Sequence, residues 1–382
     1  MNTNWNNIET IVFGQHTFNS LGQIRSLGEL GFKPDVIWVS DDNHSPKGCR
    51  YINHFFSFNS FEEGLSFILS KYTDQSKKYI ITTDSDAIVS LLDRKYDQLK
   101  GRFFFFNAGE QGRLSAYMPK YVQCELAERH GFLIPKTELV RVGDLPKKLE
   151  YPVFIKSTDC FRLSWKGDAK VCENPEELLQ AYKSITSPEI IVQEFIKKKN
   201  ELAIEGVSYN AGNDIFLPIQ GTYLRIQNGA FGTWKVNEAY NLSEDLKSKI
   251  QSLIKEVGFT GVFEIEFLLD SHDKMFFLEV NFRHTQYNHA LTDMGINLCK
   301  LFIEGEINGR IGVDSVTKSP SIVMNERGEF HTYIKTKQIS LRNWISDIKM
   351  TDSFYCYDKK DKLYFIRYVM KMILNMIKAK LR

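Results

Sequence analysis

Gly261-Val-Phe-Glu-Ile-Glu-Phe-Leu-Leu-Asp270, then Ser-His-Asp-Lys, then Met275-Phe-Phe-Leu-Glu-Val-Asn-Phe-Arg283 reads as two apolar runs around a short polar turn. That pattern predicts a β-hairpin. Strand alternation puts Glu264 and Glu266 on one face of the first run, and Glu279 and Asn281 on one face of the second. Charged groups are normally kept out of runs this apolar. Two carboxylates and an amide converging on a sheet face form the hard oxygen set that Mg²⁺ takes when it also holds nucleotide phosphates. A half-solvated hairpin with its polar face in water has the same pattern, so the rest of the chain must separate the two.

The chain has 382 residues, room for two or three packed domains. Its net charge of +2 carries no global nucleic-acid footprint. The 28 Phe and 17 Tyr fit strands and core. The 6 cysteines (49, 124, 160, 172, 299 and 356) form no Cys-x-x-Cys and no zinc spacing, and are expected as free thiols in a reducing compartment. Met1 to Asn7 has neither the basic nor the apolar region of a signal peptide, and no run of about 18 apolar residues predicts a membrane span.

Residues 8–110 alternate short strands and helices, which predicts a parallel, doubly wound sheet. Asp84 is expected to cap the helix Ala87–Leu92. A single amphipathic helix is expected over 112–134, ending at His130-Gly131. Strands follow at 152–156 and 190–196, antiparallel strands over 201–240, and helices at 243–257 and 289–304. Asp358 to Arg382 holds eight Lys/Arg against two Asp, with Leu363, Ile366, Met370, Ile373, Leu374 and Ile377 at helical spacing. This predicts a basic amphipathic helix, suited to an anionic membrane or a partner, or docked on the domain itself.

Other polar residues fall in an order that makes sense together. Lys120 lies in the long helix, Lys156 ends an apolar strand, and Glu194 precedes a turn. Glu201 opens the next strand and Lys235 follows the segment Gly221–Gly232. A nucleoside triphosphate needs cations along its phosphates, an edge for the base, a carboxylate for the ribose, and metal ligands at the β/γ end. In this order the sequence resembles the ATP-grasp superfamily of carboxylate–amine ligases over roughly residues 8–310.

The resemblance implies a Rossmann-like pre-ATP-grasp domain at 1–110 and a linker helix and strand at 111–150. It implies a small α+β subdomain (the ATP lid) at 151–200, a large α+β subdomain with the metal site at 201–330, and an extension with the basic helix at 331–382. Gln193, Glu194, Phe195 and Ile196 would read adenine, and Glu201 would bind the ribose. Lys120 and Lys156 match the phosphate lysines. Glu266, Glu279 and Asn281 match the metal triad, implying ATP with two Mg²⁺, or Mn²⁺ in their place. Arg283, in the Asn-x-Arg form, would stabilise charge on an acyl phosphate, with Glu264 as its ion-pair partner. Lys235 and Arg225 are the further catalytic candidates, Arg225 for an acceptor carboxylate.

The implied activity is ligation of a carboxylate to an amine through an acyl phosphate. A kinase-like protein or a silent nucleotide-binding protein is the alternative. Asp84-Ser-Asp86 followed by a helix resembles the branch containing D-aspartate ligase and related carboxylate–amine ligases. It suggests small-molecule carboxylate and amine substrates, including glycan- or peptide-linked envelope precursors, in the cytoplasm or at the inner face of a membrane. Two features depart from the family. Ser157 to Gly167 contains a single Gly, and Tyr287 stands where carboxylase members carry a catalytic Glu.

Overall fold

The computed structural model describes residues 5, 7–40, 45–158, 169–224, 232–239, 242–312, 314–330, 334 and 336–380. The N-terminal sheet contains β1 (Ile8–Gly14), β2 (Asp35–Trp38), β3 (Phe55–Ser57), β4 (Lys78–Thr83) and β5 (Phe103–Phe104). All pairs are parallel, in the order β3-β2-β1-β4-β5. Helices cover both faces, so its strands read as continuous apolar runs; Ile11, Val12, Phe13, Ile80 and Ile81 are fully buried. Strand β3 was not expected, because three residues are too few to show a period.

The helix expected over 112–134 is two helices, Arg113–Tyr117 and Lys120–Arg129. Pro119 stands between them with an extended ψ of 132° and no N–H to continue the first. Gly131, at φ +73°, ends the second in the left-handed region that glycine enters at little cost. The helix expected over 289–304 is likewise divided into Asn288–Asp293 and Leu298–Asn308, at Gly295 with φ +100°.

A small antiparallel sheet follows, with β6 (Thr137–Arg141), β7 (Val153–Ser157), β8 (Lys170–Cys172) and β9 (Glu189–Glu194) in the order β6-β9-β7-β8. Strand β6, assigned from sequence to the linker, belongs to this sheet. The large sheet contains β10 (Asn200–Tyr209), β11 (Asp214–Tyr223), β12 (Trp234–Glu238), β13 (Gly261–Leu269), β14 (Met275–Asn281), β15 (Ser321–Met324) and β16 (Ser353–Phe354). Its order is β14-β13-β10-β11-β12-β15-β16. The helix Leu298–Asn308 packs against β10 and β13. The C-terminal region is therefore more than an appendage, since it supplies β16, parallel to β15.

That region is also strapped to the N-terminal domain. Arg25, buried in the helix Thr17–Glu29, donates to the Cys356 carbonyl at 2.8 Å and forms ion pairs with Asp358 (3.7 Å) and Asp361 (3.4 Å). The helix Lys362–Lys380 then docks through Tyr364 and Tyr368; the Tyr368 ring lies 6.1 Å from that of Phe18. These two residues stand outside the apolar stripe read from the sequence, and that stripe remains exposed. No helix among the described residues is long and apolar enough to cross a membrane.

Candidate active site

Register builds the site from the hairpin. Glu266 lies opposite Glu279, and Glu264 opposite Asn281. On the other side of β13, Glu264 lies opposite Glu205 and Glu266 opposite Ala203, with Glu201 two residues before Ala203. Glu201, Glu205, Glu264, Glu266, Glu279 and Asn281 therefore share one sheet face. Like charges placed across strands repel, and several donors offset this. Tyr287 donates to Glu264 at 2.7 Å, and Thr285 donates to Glu205. The Asn281 amide donates to Glu264 at 3.1 Å and to Glu266 at 2.9 Å.

Burial and the charges of neighbouring carboxylates push Glu205 and Glu266 well above the usual carboxylate range. Burial also raises Glu264. Glu279 is the exception. Burial works against its charge, but Lys120 first, then Lys156 and Arg283, hold its carboxyl below the usual value. Buried carboxylates beside an amide oxygen are the donor types that a hard divalent cation takes.

The helix Lys120–Arg129 links this face to the small sheet. The Lys120 Nζ lies 2.9 Å from Glu279 Oε2. One turn on, the Gln123 side-chain amide donates to the Val280 carbonyl at 2.9 Å and accepts from the Val280 N–H at 3.0 Å. It behaves as one residue of an added strand on edge strand β14, between Glu279 and Asn281. Cys124 meets Gln193, whose Nε2 also donates to Thr137 Oγ1 at 2.8 Å. Register puts Lys156, Ile191 and Gln193 on one face of the small sheet. Burial, with Lys120 nearby, lowers the Lys156 ammonium from its ordinary value. Cations from two elements thus flank the gap between the sheets.

Residues 125–304 match the family described as carbamoyl-phosphate synthase L chain, ATP binding domain. The chain has the ATP-grasp fold. N5-carboxyaminoimidazole ribonucleotide synthase of Staphylococcus aureus (strain COL) is 23% identical over 271 residues, which cover 67% of this chain and 65% of the relative. The chain thus spans just under two thirds of that relative's length. Among solved structures, the N5-carboxyaminoimidazole synthetase from Staphylococcus aureus superposes with a TM-score of 0.64 at 16% identity, covering 86% of each chain. The L-amino acid ligase from Bacillus licheniformis gives a TM-score of 0.60 at 15% identity, covering 80% of this chain and 77% of the other.

Within the ATP-grasp frame the remaining candidates separate. Arg283 pairs with Asp86, Nε to Oδ1 at 3.0 Å, and donates from Nη2 to Asn281 Oδ1 at 3.0 Å. The expected partner, Glu264, is instead held by Tyr287 and Asn281. No partner was assigned to Asp86 from the sequence. Its signal was its place just beyond the carboxyl end of β4, where doubly wound sheets bind ligands. Asp84 does not cap the helix Asp86–Asp93, because Ser85 takes the cap position. The Asp84 carboxylate turns back to accept from the N–H groups of Gln15 and His16 and from Ser20 Oγ.

Glu201 pairs with Lys198, its neighbour on the same strand entry. The N–H groups of Glu194 and Phe195 bond the carbonyls of Lys136 (2.9 Å) and Pro152 (3.3 Å), and Phe195 and Ile196 are half-buried at the end of β9. Lys235 is corrected. It lies opposite Thr222, one residue out of phase with the acidic face, and points to solvent from the other side of the sheet. Arg225 and most of the Gly-poor loop, 159–168, lie outside the described residues. Tyr223, Trp234 and Tyr287 line the acidic face, with ring centroids 3.9 Å apart for Tyr223–Trp234 and 5.2 Å for Trp234–Tyr287. His284 and His289 have no assigned role from the sequence. Burial lowers His284 to about 3, and His289 bonds Glu29 at 3.0 Å.

Proposed function

We propose that this protein is an ATP- and Mg²⁺-dependent ligase that joins a carboxylate to an amine through an acyl phosphate, releasing ADP and phosphate. The observation that carries it is Glu279. It faces Glu266 across the hairpin and is held by Lys120, with Lys156 buried on the opposing sheet. The names of the similar proteins, a synthase and an amino acid ligase, support the same class.

In this reading Lys120 and Lys156 bind the phosphates of ATP, Glu201 leaves Lys198 for the ribose, and Glu266, Glu279 and the free lone pair of Asn281 Oδ1 hold the metal. Mg²⁺ bound there would neutralise phosphate oxygens as charge moves toward ADP. Arg283, fixed between Asp86 and Asn281, neutralises the acyl phosphate. The substrate carboxylate takes the γ-phosphoryl group. The amine then attacks the acyl carbon and loses a proton as phosphate departs, so one C–N bond forms for each ATP cleaved. Tyr287 offers no carboxylate of its own, and its hydroxyl is committed to Glu264, which favours an organic carboxylate over bicarbonate as the group that is phosphorylated. For the acceptor we propose amino acids and sugar acids, free or carried on a glycan or peptide precursor.

The test is ADP release by the purified chain over a panel of carboxylates and amines. Ligation requires release that depends on both partners. Release that needs only the carboxylate would point to a kinase. A Glu279→Gln variant that kept full turnover would remove the metal assignment.

A further inference from the structure

The helix Lys362–Lys380 carries two apolar faces. One, with Tyr364 and Tyr368, is buried against the N-terminal domain. At about 100° per residue, Leu363, Ile366, Met370, Ile373, Leu374 and Ile377 fall on the opposite side. All six are exposed, Leu363 by 65% and the least exposed of them by 49%. The stripe runs for about 21 Å. It is flanked by the exposed cations Lys362, Arg367 and Lys371, and the helix contains no acidic residue.

A continuous apolar strip this long is rarely left to water on a monomer. Its flanks say what covers it. A second copy laid on the same stripe would bring cation against cation, which is unfavourable. An anionic lipid surface meets both features at once, with acyl chains for the stripe and headgroups for the cations. The strap through Arg25, Asp358 and Asp361 keeps the helix on the body of the protein, so its outer face is presented as a fixed surface.

We infer that the outer face of the helix Lys362–Lys380 is a docking surface for an anionic membrane, on which the helix lies flat without crossing. This stands apart from the ligase reading, because neither the nucleotide nor the acidic sheet face enters it.

The test is co-sedimentation of the full chain with vesicles of phosphatidylcholine alone and of phosphatidylcholine mixed with phosphatidylglycerol. The expected result is binding to the mixed vesicles that weakens with salt. The double variant Ile366→Glu/Met370→Glu, which alters only solvent-facing positions, should bind at least about tenfold more weakly with an unchanged melting temperature. Lys362→Glu/Lys371→Glu should lose the preference for anionic lipid. Three outcomes overturn the inference: no binding to either vesicle, equal binding by the parent and the Glu double variant, or a concentration-dependent dimer that the double variant abolishes while vesicle binding is absent.

Discussion

Lys120 Nζ stands 2.9 Å from Glu279 Oε2, so an ion pair joins the linker helix to the hairpin that carries the acids. The pair belongs to an acidic face on which burial raises Glu205, Glu264 and Glu266. Lys120 is thus both a phosphate candidate and the charge that keeps Glu279 ionised. Replacing Lys120 with Met should weaken nucleotide binding by about 10- to 100-fold, the range for one charge-assisted contact. Calorimetric titration with ADP and Mg²⁺ measures it, and unchanged affinity would remove Lys120 from the site.

Gln123 makes a sharper case, because it touches no ligand in this reading. Gln123→Leu leaves the Val280 N–H and carbonyl buried without partners and should cost about 2–4 kcal/mol in urea unfolding. Gln123→Glu keeps an acceptor for the N–H but sets a buried carboxylate against the Val280 carbonyl, and should cost at least as much. Both should raise the Mg²⁺ concentration needed for half-maximal ADP release, since Val280 lies between Glu279 and Asn281.

Lys156 predicts opposite signs for stability and binding. Its ammonium is almost fully buried, and burial disfavours its charge. Lys156→Met should therefore unfold at an equal or higher temperature. It should nevertheless fail to bind ATP in the same calorimetric cell. A variant that lost stability and kept nucleotide would reverse the assignment.

Glu29 gives a pH signature far from the site. Burial alone would raise its carboxyl, but hydrogen bonds from His289 and Lys360 hold it at about 2 against an ordinary 4.5. A depressed folded value means the contribution is fully present above 4.5 and is lost as pH falls toward 2. Glu29→Gln should thus cost about 1–3 kcal/mol at neutral pH, discounted for partial exposure, and the gap from the parent should close through that acid window. Thermal melts across the window measure the gap, and a constant gap would contradict the assignment.

Part of this was legible because it has a short period. The parallel N-terminal strands are buried on both faces and read as apolar runs. The hairpin alternates, so Glu264, Glu266, Glu279 and Asn281 could be placed on one face from sequence. Pro119 and Gly295 were also in plain sight, and reading over them fused pairs of helices. Lys235 failed on phase, because a one-residue difference in strand register moves a side chain to the opposite face. The Arg283–Asp86 and Gln123–Val280 contacts had no local signal at all. Each joins residues more than 150 positions apart, and Gln123 works by imitating a peptide group, which no periodicity reports.

The Arg25 strap also sets an order of assembly. The guanidinium is buried, yet the Tyr355 carbonyl that receives it lies 330 residues downstream. At roughly 5–20 residues per second, a ribosome needs on the order of 20 to 60 seconds to make that stretch. Through this interval the helix Thr17–Glu29 holds a cation without its acids. The N-terminal sheet can form early, but it cannot close that flank until the segment around Asp358 and Asp361 emerges. This domain, made before the segment that completes it, is finished only after that segment emerges, and its flank stays open to a chaperone until then.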